Sequence, residues 1–126
     1  MAKATFYKCN ESGDIVVKLA GGSASPACCG KDMVELKANT TDAATEKHVP
    51  VVSVDGDVLT ATVGEVEHPM LDEHFINFVY VETESSMLVK QLNPGEAPTA
   101  SFNLNGEKAV AVYEYCNLHG LWVAEL

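Results

Sequence analysis

Positive charge is scarce in this sequence. Only eight Lys and Arg stand against 18 Asp and Glu, giving a formal net charge of −10. The eight are scattered rather than clustered, so a nucleic-acid backbone or an anionic membrane would be repelled and neither is an expected partner. Long apolar runs are also lacking. The opening MAKATFYKCN has no hydrophobic stretch of the signal-peptide kind, and no later segment reaches the roughly 20 residues of a membrane span. A cytoplasmic location is the expectation. No stretch shows a convincing amphipathic-helix pattern, which argues against a helical bundle. Histidine and cysteine number four each. In a chain without an export signal, cysteines are expected as thiols or metal ligands rather than structural disulfides.

What is present is enough for a folded core. The 126 residues are 47% apolar and 21% charged, the balance of a soluble globular protein rather than a disordered one. Residues 5–36 are rich in small residues, with Gly13, the run Gly21-Gly22-Ser23-Ala24-Ser25-Pro26 and then Ala27-Cys28-Cys29-Gly30. Glycine and proline at this density punctuate short strands and leave little apolar surface to bury, so the segment would gain from a metal or from docking on a neighbour. After the polar connector KANTTDAATEKH the character changes. VPVVSV and DVLTATVG flank Asp55-Gly56, a dipeptide suited to a tight hairpin turn. FINFVYVE, SSMLVKQL, TASFNLN, KAVAVYEY and LWVAEL follow, separated by turn signals that include Asn93-Pro94-Gly95 and Asn105-Gly106. The pattern predicts an all-β chain: a small β domain over residues 1–37, then an antiparallel β-sandwich of about seven strands over residues 38–126.

The sharpest motif is YEYCNLHGLW. Cys116 and His119 lie three apart after a strand, a spacing that lets a thiolate and an imidazole turn toward one metal ion. Taken alone, a cysteine at a strand end is more often simply buried, and a nearby histidine is more often a polar loop tip. VEHPMLDEHF adds His68 and His74 across a proline-containing loop, and EKHVP puts His48 at the start of the first sandwich strand. Every histidine, and the only cysteine of this segment, falls at a strand end or in a loop rather than among the alternating core positions. Four imidazoles and one thiolate overfill a structural zinc site, which is four-coordinate and richer in sulfur. The set suits iron or copper. Five ligands would leave one octahedral position open to a small molecule. Trp122 and the four methionines, Met70 among them, read as packing residues.

In type, order and spacing, EKHVP, HPM…EH and CNLHG resemble the motifs of the superoxide reductase family, called desulfoferrodoxins when a small N-terminal domain is present and neelaredoxins when it is absent. The resemblance runs from about residue 40 to the C-terminus. It implies one non-haem iron per chain in an immunoglobulin-like β-sandwich, with His48, His68, His74 and His119 as equatorial ligands and Cys116 as the axial thiolate. It also implies one-electron reduction of superoxide to hydrogen peroxide, with rubredoxin or a similar small carrier as electron donor and a homodimer as the assembly. Glu46 carries over as a residue able to occupy the sixth position of oxidised iron. Lys47 carries over as the cation near the open position, where it would attract superoxide and organise the water that delivers protons. Without the ligands beside them, these two would read as solvated charges before a strand.

The N-terminal segment resembles a desulforedoxin-like domain, which binds iron through a Cys-x-x-Cys knuckle and an adjacent Cys-Cys pair. Cys9, Cys28 and Cys29 match three of those positions, and Ser12 departs from the fourth. An alcohol is a harder and far more basic ligand than a thiolate, so iron or zinc at this degenerate site is expected to be weak, oxygen-ligated or absent. Two other readings compete. A cupredoxin-like electron-transfer protein also joins a sandwich to an upstream histidine and a Cys-x-x-His, but it needs a weak axial ligand after the last histidine, and GLWVAEL has no methionine. It also leaves two histidines unused. A zinc-stabilised adhesion or scaffold domain accounts for the sandwich but not for an open five-ligand set.

Overall fold

The computed structural model describes residues 2–126. The chain divides into two compact units, one of them Lys3–Lys37 and the other containing Ala38–Leu126. Among the described residues no helix is long and apolar enough to cross a membrane.

The smaller unit is built from β1 (Thr5–Lys8), β2 (Ile15–Lys18), β3 (Ala27–Cys28), β4 (Lys31–Asp32) and β5 (Val34–Glu35). β1 is central in a three-stranded sheet ordered β2-β1-β5, and β3 and β4 form a separate hairpin. The loop from β1 to β2 closes with Cys9 N–H on the Asp14 carbonyl at 2.9 Å and Gly13 N–H on the Cys9 carbonyl at 2.7 Å. Cys29 and Gly30 connect β3 to β4 with φ of 55° and 77°. Two successive positive φ values match the right-handed twist of a two-residue hairpin, and here they make the chain hold a non-glycine residue in the left-handed region. The buried cluster is small: Tyr7, Cys9 and Met33, with Cys28 packed against it.

The larger unit begins with one helical turn, α1 (Thr45–His48), whose N-cap Ala44 makes no side-chain cap bond. The sequence reading places Glu46 and Lys47 before a strand and His48 at its start, with no helix there. A single uncapped turn carries no period to detect, and burial of His48 is what holds it. There follow β6 (Pro50–Asp55), β7 (Val58–Val63), β8 (Ile76–Thr83), β9 (Met87–Gln91), β10 (Thr99–Asn103), β11 (Ala109–Cys116) and β12 (Gly120–Glu125). They form two antiparallel sheets, β10-β7-β6 and β12-β11-β8-β9. Asp55-Gly56 turns the β6–β7 hairpin as expected, with Gly56 at φ 61°. Asn105-Gly106 instead carries the chain from one sheet to the other.

Alternation places the core between the sheets. Leu59, Ala61 and Val63 of β7 and Ala100 and Phe102 of β10 meet Val79 and Val81 of β8 and Val112 of β11. The register of β8 against β11 slips by one residue near the end, from Tyr115↔Phe78 to Cys116↔Ile76. Skipping Asn77 in this way lets Ile76 and Cys116 both face the core, and re-aiming a terminal side chain is a common use of a bulge. The fold is the all-β antiparallel sandwich that the sequence pattern predicts.

Candidate metal centre

Cys116 is the last residue of β11, and His119 lies in the turn that leads into β12. His68 and His74 belong to the loop between β7 and β8, and His48 ends α1. That loop is braced locally. Leu71 and His74 pair through their backbones. Asn117 accepts the Phe75 N–H at 2.9 Å and donates to the Glu73 carbonyl at 3.1 Å, tying the His74 segment to the segment that carries Cys116 and His119.

One donor atom from each of His48, His68, His74, Cys116 and His119 lies within 4.8 Å of all the others. The four rings close into a cycle. His48–His68, His68–His74, His74–His119 and His119–His48 have centroid separations of 4.7, 4.6, 5.0 and 4.9 Å and interplanar angles of 74°, 81°, 79° and 88°. Each imidazole therefore stands edge-on to its neighbours, as blades around a common axis. Cys116 is fully buried, with its sulfur 3.8 Å from His119 Nδ1. A cavity of about 310 Å³ opens on the imidazoles and is lined by Ala43, Ala44, Lys47 and Pro69 besides the four histidines, but not by Cys116. The thiol and the cavity thus bound the ring set differently, one inside the core and the other toward solvent.

The hydrogen-bond pattern shows that this donor set fits a cation. His48 Nδ1–H donates to the Ala44 carbonyl and His68 Nδ1–H to the Pro69 carbonyl, each at 2.7 Å. A neutral imidazole has one N–H, so both Nε2 atoms are left as acceptors, and they face each other at 3.2 Å. His48 Nε2 is also 3.1 Å from His119 Nδ1. Buried His74 Nε2 has no partner at all. The facing lone pairs of His48 and His68 would be relieved by a positive centre between them. Burial lowers the pKa of His48 and His74 and takes His68 down to about 4, so the rings stay unprotonated and ready to ligate near neutral pH. Burial raises the pKa of the Cys116 thiol, while the N–H groups of Leu118 and His119 favour its thiolate. A bound cation would complete that shift.

Trp122 supports the ring set. It stacks on His48 with a centroid separation of 4.9 Å and an interplanar angle of 23°, and its Nε1–H donates to the His119 carbonyl at 3.1 Å. Lys47 lines the cavity, whereas Glu46 lines a separate groove with Thr45, Val49, Pro50, Val51 and Glu65. Three contributors had no role in the sequence reading. Asn117 sits inside the CNLHG motif. Gly64 approaches the Lys47 backbone so closely that a Cβ would lie 2.7 Å from its carbonyl carbon and oxygen. Glu114 is fully buried, and both of its carboxyl oxygens lack a partner. Burial pushes its pKa well above that of an ordinary carboxyl group. Its in-phase position between Val112 and Cys116 on one strand was the available signal.

In the smaller unit Cys9, Cys28 and Cys29 bring their sulfurs within 4.8 Å of one another. Ser12 joins them, with its oxygen 3.6 Å from Cys28 Sγ and accepting the Asp14 N–H at 3.3 Å. A four-thiolate metal site does not fit this set, because the fourth place holds a hydroxyl that keeps its proton.

Residues 40–125 match the desulfoferrodoxin family. A desulfoferrodoxin of Syntrophotalea carbinolica is 45% identical over 98% of this chain and 97% of its own length. One from Nitratidesulfovibrio vulgaris is 44% identical over 95% of this chain and 94% of its own. Among solved structures, the superoxide reductase of Treponema pallidum superposes with a TM-score of 0.83 at 34% identity, covering 98% of this chain and all of that one. Motif order, fold and similarity along nearly the whole length agree, and the chain belongs to the desulfoferrodoxin family.

Proposed function

We propose that the chain is a superoxide reductase, an oxidoreductase that takes each superoxide, with one electron and two protons, to hydrogen peroxide. The observation that carries this reading is the five-donor set opening onto a cavity that one lysine lines. His48, His68, His74, His119 and Cys116 would hold a single non-haem iron, which when bound supplies the electron and a free coordination position. The protein's residues do the remainder. Lys47 gives an otherwise acidic molecule local positive potential at the cavity, which draws in a small anion and orients water for proton delivery. The Ala44 and Pro69 carbonyls and the Trp122 face fix the His48 and His68 rings so that the donor atoms stay aimed inward. Cys116, buried behind the imidazoles, keeps its sulfur from solvent and peroxide. Glu46 reaches the centre only if its side chain leaves its present groove. A small carrier such as rubredoxin returns the electron.

A blue-copper reading finds no added support, since the Met70 sulfur is taken up by the Ile76 N–H at 3.4 Å. Metal analysis with anaerobic exposure to superoxide tests the proposal. One iron per chain and peroxide formed without oxygen support it, whereas stoichiometric copper with an intense blue band, or oxygen release, refutes it. Cys116→Ser should abolish turnover; full activity in that variant would refute the ligand set.

A further inference from the structure

The unit Lys3–Lys37 holds three of the chain's four cysteines, and the proposed reaction uses none of them. A unit of this size lies below the length at which apolar burial alone usually sustains a fold, and disulfides or metals are the common staples. Its buried cluster is only Tyr7, Cys9 and Met33, with half-buried Cys28 against them. The four-thiolate staple does not fit. Two of the clustered residues are themselves thiols in contact across the unit.

We propose that Cys9 and Cys28 form a reversible disulfide on reaction with hydrogen peroxide, making this unit a peroxide-responsive dithiol that closes covalently when oxidised. The three sulfurs already lie within 4.8 Å of one another, so side-chain rotation can bring one pair to bonding distance. The adjacent sulfurs of Cys28 and Cys29 are 3.5 Å apart, but their Cα atoms, one peptide bond apart, sit about 3.8 Å from each other, closer than the roughly 4.4–6.8 Å that a disulfide normally spans. A vicinal bond would be strained, and Cys29 is further constrained at φ 55° in the two-residue turn. Cys9, directly after β1, and Cys28, in β3, pack against each other without that constraint.

The chemistry balances with peroxide as the sole oxidant. The Cys9 thiol, its pKa held down to about 7 by hydrogen bonds from Cys28 and Ser12, is the thiolate of the pair and attacks one peroxide oxygen. The O–O bond breaks, leaving a sulfenic acid and hydroxide. Cys28, whose thiol pKa is pushed up to about 11 beside Cys9, then gives up its proton as its sulfur attacks the Cys9 sulfur and expels the second hydroxide. The two thiol protons and the two hydroxides leave as two waters. Ser12, 3.6 Å from Cys28 Sγ, is placed to hydrogen-bond that sulfur during the exchange. Cys29 remains a thiol. Against a reducing cytosol such a bond is transient, which suits a sensor rather than a permanent staple.

The oxidant is the product of the proposed activity, and to that extent the inference rests on that reading; peroxide added directly tests it without turnover. The purified full chain is treated with a few equivalents of hydrogen peroxide, then denatured for thiol counting and mapped by mass. Titratable thiols should fall from four to two, with loss of two hydrogen atoms and a peptide linking Cys9 to Cys28, all reversed by dithiothreitol. Cys9→Ser and Cys28→Ser should each prevent closure, and Cys29→Ser should leave it intact. Closure constrains the loop that contains Lys18, so tryptic cleavage there should slow on the order of a hundredfold in the oxidised form. Oxygen addition to Cys29 without a disulfide, a Cys28–Cys29 or interchain bond, or stoichiometric metal that leaves the thiols inert would each overturn the proposal. A chain that closes this bond yet fails to reduce superoxide sinks the enzymatic reading alone.

Discussion

Gly64→Ala should be among the most damaging single-methyl additions in the sandwich unit, although Gly64 supplies no ligand. Gly64 follows β7 at φ 87°, and an added Cβ would stand 2.5 Å from the Val66 carbonyl oxygen and 2.7 Å from the carbonyl carbon and oxygen of Lys47. Holding alanine in the left-handed region costs about 1–2 kcal/mol. The contacts add to this: carbon to carbonyl oxygen normally stops near 3.3 Å, so the Lys47 backbone must retreat by roughly 0.6 Å. Overpacking of this kind costs about 1–3 kcal/mol, and the shift also threatens the Val66 N–H bond to the Glu46 carbonyl at 3.0 Å. The sum is about 2–5 kcal/mol. Gly106 supplies the control, because its φ of 80° is nearly the same and a Cβ there meets nothing within 4 Å. Gly106→Ala should lose only the conformational part. Urea unfolding of both variants measures the difference, expected at about 1–3 kcal/mol. Because His48 follows Lys47, only Gly64→Ala should also alter the visible spectrum of the metal-loaded protein. Equal losses in the two variants would refute the claim that close approach to the α1 backbone, rather than φ, makes glycine necessary at position 64.

Three further substitutions probe separate parts of the reading. Lys47→Ala should slow the second-order reaction with superoxide about tenfold at low ionic strength and flatten its salt dependence, as read by pulse radiolysis; an unchanged rate would remove Lys47 from anion attraction. Trp122→Leu removes both the stack on His48 and the bond to the His119 carbonyl, so metal affinity should fall about 10–100-fold, measured by competition with a chelator. Glu107 is held at a pKa of about 2 by hydrogen bonds from Thr83, Ser86 and Ser85, below its value in the unfolded chain. Its contribution is therefore complete above about pH 4.5 and disappears as pH falls toward 2. Glu107→Gln should remove that contribution, so denaturation midpoints of wild type and variant should differ at pH 7 and converge in acid; a constant gap across that window would contradict the assignment.

Much of this architecture was legible because side-chain alternation is a local signal. The seven expected segments of residues 38–126 became β6 to β12, and Asp55-Gly56 announced the first hairpin. What the sequence could not show depended on distant parts of the chain. Nothing near Asn105-Gly106 says whether the turn returns to the same sheet or crosses to the other, because that is decided by which partner strand is still unpaired. The helical turn that carries His48 is held by burial rather than propensity, and so left no trace. The five convergent residues were recognisable from CNLHG, HPM…EH and EKHVP, yet the carbonyl partners that choose which ring nitrogen faces inward were not. Glu114 was hidden for a related reason: on a strand with no exposed position, a buried acid is conspicuous only once the core-facing phase is known.

The donor residues of the ring set come from α1, the β7–β8 loop, the end of β11 and the turn before β12. No contiguous fragment of the chain therefore offers a metal more than a remnant of the site, and the unfolded chain competes poorly for it. Under the proposed ligation, metal occupancy and folding form a single linked equilibrium. Each tenfold rise in free metal above the dissociation constant adds about 1.4 kcal/mol to the stability of the whole sandwich. Loss of the β11–β12 hairpin would remove both the proposed thiolate and one imidazole at once, so retention of metal reports on the integrity of that hairpin.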